Sequence, residues 1–329
     1  MNTTTIAILG AGSWGTAVAI HLANCGNRVL LWGHRAPHIE QMQNERCNQQ
    51  YLPNVTFPSK VYPQNDLETC LQQASIVIIA VPSNAFAQLL PKLPESLTGL
   101  AWLTKGLDPS SHKLLSELVV KKWGVAFPFA VISGPSFARE VAELLPTGLT
   151  IAGNESHFLK TLQNLFHQKN IRAYLTDDFI GVQLCGAVKN VLAISCGISD
   201  GLNYGANAKA ALITRGLAEM SRLGIRLGAR PETFMGLAGV GDLVLTCTDN
   251  QSRNRRFGLK LGQGIDLQQA EKEIGQVVEG KHNAAQVCAL ADHYQIEMPI
   301  CREVNNLLEG NITAKQAALN LMSRPPKEE

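Results

Sequence analysis

Short apolar runs alternate with helical patterns through the first half of the chain. Continuous apolar runs of this length are typical of strands that are covered on both faces of a parallel sheet. The runs lie at residues 5–9, 28–32, 75–81, 100–103, 129–132, 148–152 and 171–175. Apolar residues also recur at helical spacing over 13–24 and 155–166. The repetition of strand, helix and strand predicts right-handed βαβ units and a doubly wound, parallel Rossmann sheet.

The pattern changes near Thr176, and the rest of the chain shows only helical periods. The helical stretches lie at residues 181–198, 209–223, 267–273 and onward to 318. A chain of 329 residues is also too long for one ordinary core. We therefore predict an α/β chain of two domains: a dinucleotide-binding Rossmann domain at residues 1–178, and an all-α, substrate-binding and catalytic domain at residues 179–329.

The composition excludes several classes of partner. The formal net charge is +2, which provides no field for nucleic acid or a membrane surface. The eight cysteines are scattered without a CxxC pair, as is typical of free thiols in a reducing compartment. A strand begins almost at the N-terminus, which leaves no room for a signal peptide, and the apolar segment 182–198 is shorter than a bilayer requires. We expect a cytoplasmic protein.

No pattern of metal ligands stands out in the sequence. The HExxH motif is absent. His34 and His38 are four residues apart, but Pro37 and the turn around Gly33 disfavour a helix through both histidines. We predict no metal site.

A GxGxxG motif follows the first predicted strand and opens the first predicted helix, at Gly10, Gly12 and Gly15. In that setting the three glycines allow a tight turn, close approach of a pyrophosphate, and packing of the helix on the strand. The start of the helix then offers N–H groups and the positive end of its dipole to the phosphates. A tight turn without a ligand is the simpler alternative.

The end of the second predicted strand decides which dinucleotide is preferred. NAD-specific sites place an Asp or Glu about 20 residues beyond the glycines. This chain has Gly33, His34 and Arg35 there, and no carboxylate before Glu40. The cationic pair favours the 2′-phosphate of NADP, so NADP(H) is expected as the preferred coenzyme and NAD(H) as an accepted one. The alternative is that Arg35 is only a solvated side chain.

Polar residues follow three other predicted strands, at 81–83, 104–106 and 133–136. Ligands of open α/β sheets lie outside the carboxyl ends of the strands. Lys105 is the most informative of these residues, because it directly follows a buried strand. Ordinary loop chemistry explains the glycines and prolines equally well.

Lys189 and Asn190 lie in the middle of an apolar helical stretch. A buried ammonium is unfavourable unless it is paired, and burial lowers its pKa, which suits proton transfer or stabilisation of an oxyanion. The alternative is a lysine whose stem packs on the helix while its head reaches solvent.

Two later segments supply complementary groups. Asp242, within the glycine-rich segment 239–243, is the best candidate for a carboxylate partner of Lys189, with a helix cap as the alternative. Ser252, Arg253 and Asn254 form a compact set of donors that suits a phosphate group, with a surface basic patch as the alternative.

Taken together, these segments resemble the bacterial NAD(P)-dependent glycerol-3-phosphate dehydrogenases. The resemblance covers most of the chain, from Gly10 to about Gly280. Its motifs are GAGSWG at 10–15, LTKG at 103–106, SGPSFA at 133–138, GAVKN at 186–190, GVGDL at 239–243 and SRNRRFG at 252–258. Chance agreement over six such segments in this order is negligible.

The resemblance implies an oxidoreductase that transfers a hydride reversibly between NAD(P)H and dihydroxyacetone phosphate, giving sn-glycerol 3-phosphate for phospholipid synthesis. It implies that Lys189 is the proton donor in reduction and the acceptor in oxidation, oriented with the substrate by Asp242 and Asn190. It also implies that Gly134 and Ser136 line the substrate pocket.

Further contacts follow from the same resemblance. It implies that Ser252, Arg253 and Asn254 hold the substrate phosphate, and that Lys105 lies between coenzyme and substrate. Coenzyme contacts are implied for Ser13, Trp14, His34, Lys105, Ala138, Arg253, Val277 and Glu279. A homodimer is implied as well.

Two other functions are compatible with parts of the sequence. A related enzyme that acts on a small keto or hydroxy acid would bind a carboxylate, for which Arg253 would also serve. A non-enzymatic NAD(P)H sensor would have little use for Lys189 and Asp242.

Overall fold

The structure is a computed structural model that describes residues 4–325, and it divides into two compact units. The first unit consists of the chain up to Thr104 together with Leu115–Phe179. The second consists of Lys105–Leu114 together with the chain from Ile180 onward. Residues 105–114, which the sequence analysis placed in the first domain, therefore group with the helical unit.

The first unit is built on an eight-stranded sheet in the order β10-β9-β8-β7-β6-β1-β2-β5, beside a separate hairpin of β3 and β4. The strands are β1 Thr5–Leu9, β2 Arg28–Trp32, β3 Cys47–Asn48, β4 Leu52–Thr56, β5 Val61–Gln64, β6 Ile76–Ile79, β7 Leu100–Trp102, β8 Phe129–Ser133, β9 Thr147–Gly153 and β10 Ile171–Thr176. The predicted Rossmann-like, mostly parallel sheet is confirmed.

Seven α-helices accompany the strands in the described part of this unit. They are α1 Ser13–Asn24, α2 Ala36–Glu45, α3 Leu67–Gln73, α4 Ser83–Leu89, α5 Leu115–Trp123, α6 Ala138–Ala142 and α7 Ser156–Phe166. Apolar residues of β1, such as Ile6 and Ile8, and of α1, such as Val18 and Leu22, are fully buried in one cluster. Burial on both sides explains why these strands are continuous apolar runs.

One expectation about the sheet was wrong. The run at 148–152 was predicted as another parallel strand, but β9 pairs with β8 in the antiparallel sense, with Ala130 opposite Gly153. β10 then pairs with β9 in parallel. The connection from β8 to β9 contains only the five-residue helix α6, whereas a parallel crossover usually contains a full-length helix.

The edge strand β5 and the hairpin of β3 and β4 were not predicted. Their sequences are short and polar, and Pro63 lies within β5. A proline is tolerated there because β5 is at the edge of the sheet and pairs only with β2.

The second unit is all-helical over its described residues, as predicted. Its helices are α8 Phe179–Gly201, α9 Gly205–Arg226, α10 Pro231–Phe234, α11 Asp242–Thr248, α12 Arg253–Gly262, α13 Leu267–Ile274, α14 Glu279–His293, α15 Pro299–Leu308 and α16 Ala314–Met322. By length and composition, α8 alone among the described helices could cross a membrane, but 89% of its most apolar window is buried. Such burial is typical of the core helix of a soluble protein.

The backbones of α8 and α12 touch. A Cβ on Gly197 of α8 would lie 2.0 Å from the carbonyl oxygen of Arg255, and a Cβ on Gly258 of α12 would lie 2.1 Å from that of Ile194. Any side chain at either position would force the helices apart. This contact fixes where the first residues of α12 lie along α8.

Glu219 of α9 closes the start of another helix. Its carboxyl oxygens accept hydrogen bonds from the backbone N–H groups of Ile300 (2.7 Å) and Cys301 (3.3 Å) in the first turn of α15. The side chain is buried, and burial raises the pKa of Glu219 to about 7, although the two N–H groups lower it.

This raised pKa predicts how stability depends on pH. At pH values between 4.5 and about 7, the folded protein holds a proton on Glu219, whereas the unfolded chain, in which the pKa of this group is near 4.5, has already lost it. The contribution that this proton makes to the free energy of unfolding is therefore complete below pH 4.5, the pKa in the unfolded chain, and is lost as the pH rises through about 7. Glu219→Gln stays neutral and keeps an acceptor oxygen, so its stability relative to the unchanged protein should increase from pH 5 to pH 8.

Urea unfolding at pH 5, 6, 7 and 8 measures this trend. Glu40→Gln, at an exposed position of α2, is the control and should show no such trend. A Glu219→Gln difference that is constant across this range would contradict the assignment.

Candidate active site

The glycine turn between β1 and α1 is tightly packed at Gly10 and Gly15. Gly10 has φ +133°, and a Cβ there would lie 2.6 Å from the carbonyl carbon of Ala80 at the end of β6. A Cβ on Gly15 would lie 2.0 Å from the carbonyl oxygen of Gly10. At Gly12, no described atom lies within 4 Å of the position that a Cβ would take. A side chain is thus excluded at Gly10 and at Gly15, whereas the space beside Gly12 is open.

The turn lies where the strand order of the sheet reverses. β1 is flanked by β2 on one side and by β6 on the other. The chain first forms β2 and β5 on one side of β1 and then forms β6 to β10 on the other side. Open α/β sheets bind ligands at such a switch point. At the start of α1, the N-cap residue Gly12 brings no side chain, and the buried indole Nε1 of the half-buried Trp14 has no hydrogen-bond partner among the described residues. These features fit a dinucleotide.

His34 and Arg35 follow β2 and are exposed, as expected for residues that meet a ligand or solvent. Arg35 is not merely solvated, however. Its Nη2 donates to the Oε1 of Gln50 and to the hydroxyl of Tyr51, both at 2.8 Å. The turn of the β3–β4 hairpin therefore holds the guanidinium.

The residues after β8 form a compact turn in the first unit. Gly134 has φ +133°, and its carbonyl oxygen accepts a hydrogen bond from the Oγ of Ser136 at 2.9 Å. Ala138 is the first residue of α6. The buried Oγ of Ser133 has no hydrogen-bond partner in the described part of the chain.

In the second unit, one carboxylate holds two lysines. The Nζ of Lys189 on α8 lies 2.5 Å from the Oδ1 of Asp242, and the Nζ of Lys105 lies 2.8 Å from its Oδ2. The side chains are 7%, 13% and 1% exposed for Lys189, Lys105 and Asp242. Lys189 thus does not reach solvent, and Asp242 binds lysines instead of capping a helix. We call these three residues the ion cluster.

Thr246 is a second hydrogen-bond partner of Lys189, which the sequence analysis missed. Its Oγ1 accepts a hydrogen bond from the Nζ of Lys189 at 2.9 Å and donates one to the carbonyl oxygen of Asp242 at 2.6 Å. Asp242 and Thr246 are four residues apart on α11 and therefore lie on the same face. That spacing was the signal available in the sequence.

The charges and the burial of the cluster shift the pKa values of its members. Burial lowers the pKa of Lys189 to about 8, with Asp242 raising it and Lys105 lowering it. Burial alone would raise the pKa of Asp242, but the two lysines hold it below its usual value. Lys189 can therefore gain or lose a proton near neutral pH, whereas Asp242 stays ionised.

Local structure explains how the cluster is assembled. The segment Leu237–Gly241, which is kinked at Gly239 (φ −88°, ψ −106°), leads into α11 and places Asp242 at its first residue. Lys105 lies on the loop 105–114, which is anchored because Leu107 and Leu114 are buried in the helical core and bridge to each other.

A second network adjoins the cluster along α8. The Nδ2 of Asn254 donates to the Oδ1 of Asn190 at 2.9 Å, and the Oδ1 of Asn254 accepts from the backbone N–H of Gly280 at 2.9 Å. The Nδ2 of Asn190 lies 3.4 Å from the Oε2 of Glu279. Burial raises the pKa of Glu279, against the effects of Arg253, Lys105 and Lys189. Asn190 is thus bonded to Glu279 and Asn254.

The three residues predicted to grip a phosphate lie together at the start of α12. The Oγ of Ser252 caps the helix by accepting from the N–H of Arg255 at 3.2 Å. The Nη1 of Arg253 donates to the Oε1 of Gln276 at 3.2 Å. Val277 is 45% exposed. Ser252 and Asn254 therefore already have partners within the protein. The guanidinium of Arg253 has five N–H donors, which is more than its bond to Gln276 uses.

The predicted site residues fall into two sets. The first unit carries Gly10, Gly12, Ser13, Trp14, Gly15, His34, Arg35, Gly134, Ser136 and Ala138. The second unit carries Lys105, Lys189, Asn190, Asp242, Ser252, Arg253, Asn254, Val277 and Glu279. Within the second unit, the structure brings both lysines to Asp242 and Asn190 to Glu279 and Asn254.

Known proteins resemble this chain over its whole length. Residues 5–159 match the family model of the NAD-dependent glycerol-3-phosphate dehydrogenase N-terminus, and residues 178–319 match that of the C-terminus. A glycerol-3-phosphate dehydrogenase [NAD(P)+] of Legionella pneumophila (strain Paris) is 64% identical over 329 residues, which is 100% of both chains. The same-named protein of Psychromonas ingrahamii is 52% identical and covers 98% of both.

The crystal structure of glycerol-3-phosphate dehydrogenase from Coxiella burnetii is also similar. It has a TM-score of 0.94 at 50% sequence identity, over 98% of this chain and 99% of that one. These matches outweigh the alternatives of a keto-acid enzyme and of a sensor. The chain therefore belongs to the family of NAD-dependent glycerol-3-phosphate dehydrogenases, which are oxidoreductases that act on a CH–OH group.

Proposed function

We propose that the chain reduces dihydroxyacetone phosphate to sn-glycerol 3-phosphate, reversibly, for glycerophospholipid synthesis. NADP(H) is the preferred coenzyme and NAD(H) an accepted one. The observation that carries the reaction is the buried ion cluster, in which Lys189 has a pKa of about 8. The relatives' names, which include NAD(P)+, support the use of either coenzyme. The preference rests on Arg35 and on the absence of a carboxylate after β2.

The glycine turn and the residues after β2 would hold the coenzyme in the first unit. The contributing residues of the first unit are Gly10, Gly12, Ser13, Trp14, Gly15, His34, Arg35 and Ala138. The resemblance to the family adds Lys105, Arg253, Val277 and Glu279 as proposed coenzyme contacts. When bound, the nicotinamide supplies or accepts the hydride. The N-terminus of α1 would meet the pyrophosphate with N–H groups and the positive end of the helix dipole.

The substrate would be held by its phosphate and its carbonyl group. Arg253 offers a planar, permanently charged fork at the start of α12, whose N-terminus also favours an anion. Ser252 and Asn254 support this turn, and Gly134 and Ser136 line the pocket. Holding the substrate in one orientation removes translational freedom and lowers the barrier by several kcal/mol, of the order of 7 when the geometry is ideal.

Lys189 would handle the proton. An ammonium has three N–H donors, of which Asp242 and Thr246 engage two among the described residues. The third can point to the carbonyl oxygen of the substrate, stabilise the negative charge that develops there and donate the proton. In the reverse direction, the neutral amine accepts the proton of the hydroxyl group. Asp242 and Lys105 fix the position of Lys189, and Asn190 orients the neighbouring Glu279.

The domains, the location and the assembly complete the proposal. Residues 1–178, apart from residues 105–114, form the dinucleotide-binding domain, and residues 179–329 together with residues 105–114 form the helical, substrate-binding and catalytic domain. The protein acts in the cytoplasm as a homodimer. The eight cysteines, all free, support a reducing compartment.

The direct test is the loss of NADPH absorbance when the purified protein is mixed with dihydroxyacetone phosphate. We expect rapid oxidation of NADPH, slower oxidation of NADH, and little of either with a small 2-keto acid. Equal or higher catalytic efficiency with NADH would contradict the coenzyme preference. Oxidation with the keto acid alone would contradict the substrate.

The pKa of Lys189 predicts opposite pH dependences for the two directions. Reduction needs the ammonium, so its kcat/KM should fall as the pH rises through about 8. Oxidation needs the neutral amine, so its kcat/KM should rise over the same range. Lys189→Met should lower kcat by about 10²–10⁴-fold and abolish both inflections. A variant that keeps near-normal kcat would remove Lys189 from this role.

Thr246 allows a matched comparison on one helix. Thr246→Val removes the hydroxyl that bonds Lys189 and should lower kcat about tenfold, because a hydrogen bond to a charged group is lost. Thr248→Val is the control, since among the described residues its exposed hydroxyl bonds the carbonyl oxygen of Val244 and not Lys189. Steady-state kinetics that show equal losses in the two variants would contradict a specific role for Thr246.

A further inference from the structure

Asn48, at the end of β3, is a fully buried amide whose hydrogen bonds reach the glycine turn. Its Nδ2 donates to the carbonyl oxygen of Ala11 at 3.0 Å and to the Oγ1 of Thr16 at 2.8 Å. Its Oδ1 accepts from the backbone N–H of Tyr51 at 3.2 Å and lies 3.0 Å from the Nε2 of His38. Both ends of the amide are therefore engaged.

The turn at residues 49–51, which joins β3 to β4, contacts both parts of the proposed coenzyme site. The carbonyl oxygen of Tyr51 accepts a hydrogen bond from the Oγ of Ser13, the first residue of α1, at 2.7 Å. The Tyr51 hydroxyl and Gln50 accept from Arg35. The guanidinium carbon of Arg35 also lies 5.8 Å from the centre of the Tyr51 ring, within reach of a cation–π contact.

The hairpin of β3 and β4 lies outside the eight-stranded sheet, so the sheet does not require it. Its bonds to Ala11, Ser13 and Thr16 hold the segment that would admit the pyrophosphate. Its bonds to Arg35 hold the group that would meet the 2′-phosphate. Satisfied polar contacts specify geometry more narrowly than apolar contacts do.

We propose that Asn48 and Tyr51 are positioning residues of the coenzyme site. Asn48 keeps the glycine turn in the conformation that admits a pyrophosphate. Tyr51, with Gln50, keeps the guanidinium of Arg35 in place for a 2′-phosphate. The inference rests on the proposed function in one respect, which is that the first unit binds a nicotinamide dinucleotide.

The two residues predict different patterns of affinity. Loss of the Asn48 amide loosens the turn used by both coenzymes, so NADPH and NADH should both bind more weakly. Loss of the Tyr51 hydroxyl removes one of the two hydrogen bonds that hold the Arg35 guanidinium and leaves the glycine turn unchanged, so NADPH should lose more affinity than NADH.

The experiment measures dissociation constants of NADPH and NADH by fluorescence titration of the full-length protein, with thermal unfolding without coenzyme in parallel. The variants are Asn48→Ala, Thr16→Val and Tyr51→Phe. Asn27→Ala is the matched control, because Asn27 is a buried amide that bonds the carbonyl oxygen of Leu22 at the opposite end of α1. Thr16→Val removes one acceptor of the Asn48 amide and preserves the packing. It therefore tests the role of Asn48 in coenzyme binding even if Asn48→Ala does not fold.

We expect Asn48→Ala to raise both dissociation constants about tenfold and Thr16→Val about threefold, because Asn48→Ala removes two hydrogen bonds to the glycine turn and Thr16→Val removes one. Asn27→Ala should lower the melting temperature without changing either constant. Under saturating coenzyme, kcat of Thr16→Val should stay within about twofold of the unchanged protein, because the defect lies in binding.

Two outcomes would overturn the inference. One is unchanged affinity in Thr16→Val and Asn48→Ala, and the other is an increase in Asn27→Ala equal to that in Asn48→Ala at a similar loss of melting temperature. Equal losses of NADPH and NADH affinity in Tyr51→Phe would overturn the part that concerns Arg35. Failure of the unchanged protein to bind either coenzyme would instead reject the proposed function, and this inference with it.

Discussion

Two ammonium groups share one buried carboxylate, and the chemistry proposed for the protein depends on this arrangement. Lys189 and Lys105 both bond Asp242, whose side chain is 1% exposed. Because an unpaired buried charge is strongly unfavourable, Lys189 would lose its proton far more readily without Asp242. Two cations on one anion leave an excess of positive charge, which suits an anionic substrate and an oxygen that becomes negative during reduction. The anchored loop 105–114 and the turn before α11 both serve to keep these groups together.

The fold was predictable where packing dictates the sequence. The bounds of β1 and β2 follow directly from their apolar runs, because both faces of these strands are buried. The direction of β9 did not follow, since an apolar run carries no information about the sense in which the strand pairs. β3 was missed because a strand of two residues shows no periodicity, and β4 and β5 were missed because short, proline-containing segments resemble loops.

The candidate site was predictable where a residue is out of place in its surroundings. Lys189 stands out as a charge within an apolar helix, and Asp242 as the only carboxylate in the glycine-rich segment 239–243. Thr246 was missed because a threonine among apolar helical residues is unremarkable until its neighbours are known. Asn48 was missed because its partners in the glycine turn are a backbone carbonyl and a hydroxyl group that lie 37 and 32 residues away in the sequence. Spacing alone also did not reveal that Ser252 and Asn254 already have protein partners.

The measurement that tests the central claim most directly is the steady-state kinetics of Asp242→Asn, together with its coenzyme affinity. Asparagine keeps the shape of the side chain but removes the charge that holds both lysines. We predict that kcat for reduction of dihydroxyacetone phosphate falls at least about 100-fold, while the dissociation constant of NADPH stays within about threefold. A variant that retains near-normal kcat would show that the shared carboxylate is not what makes Lys189 an effective proton donor.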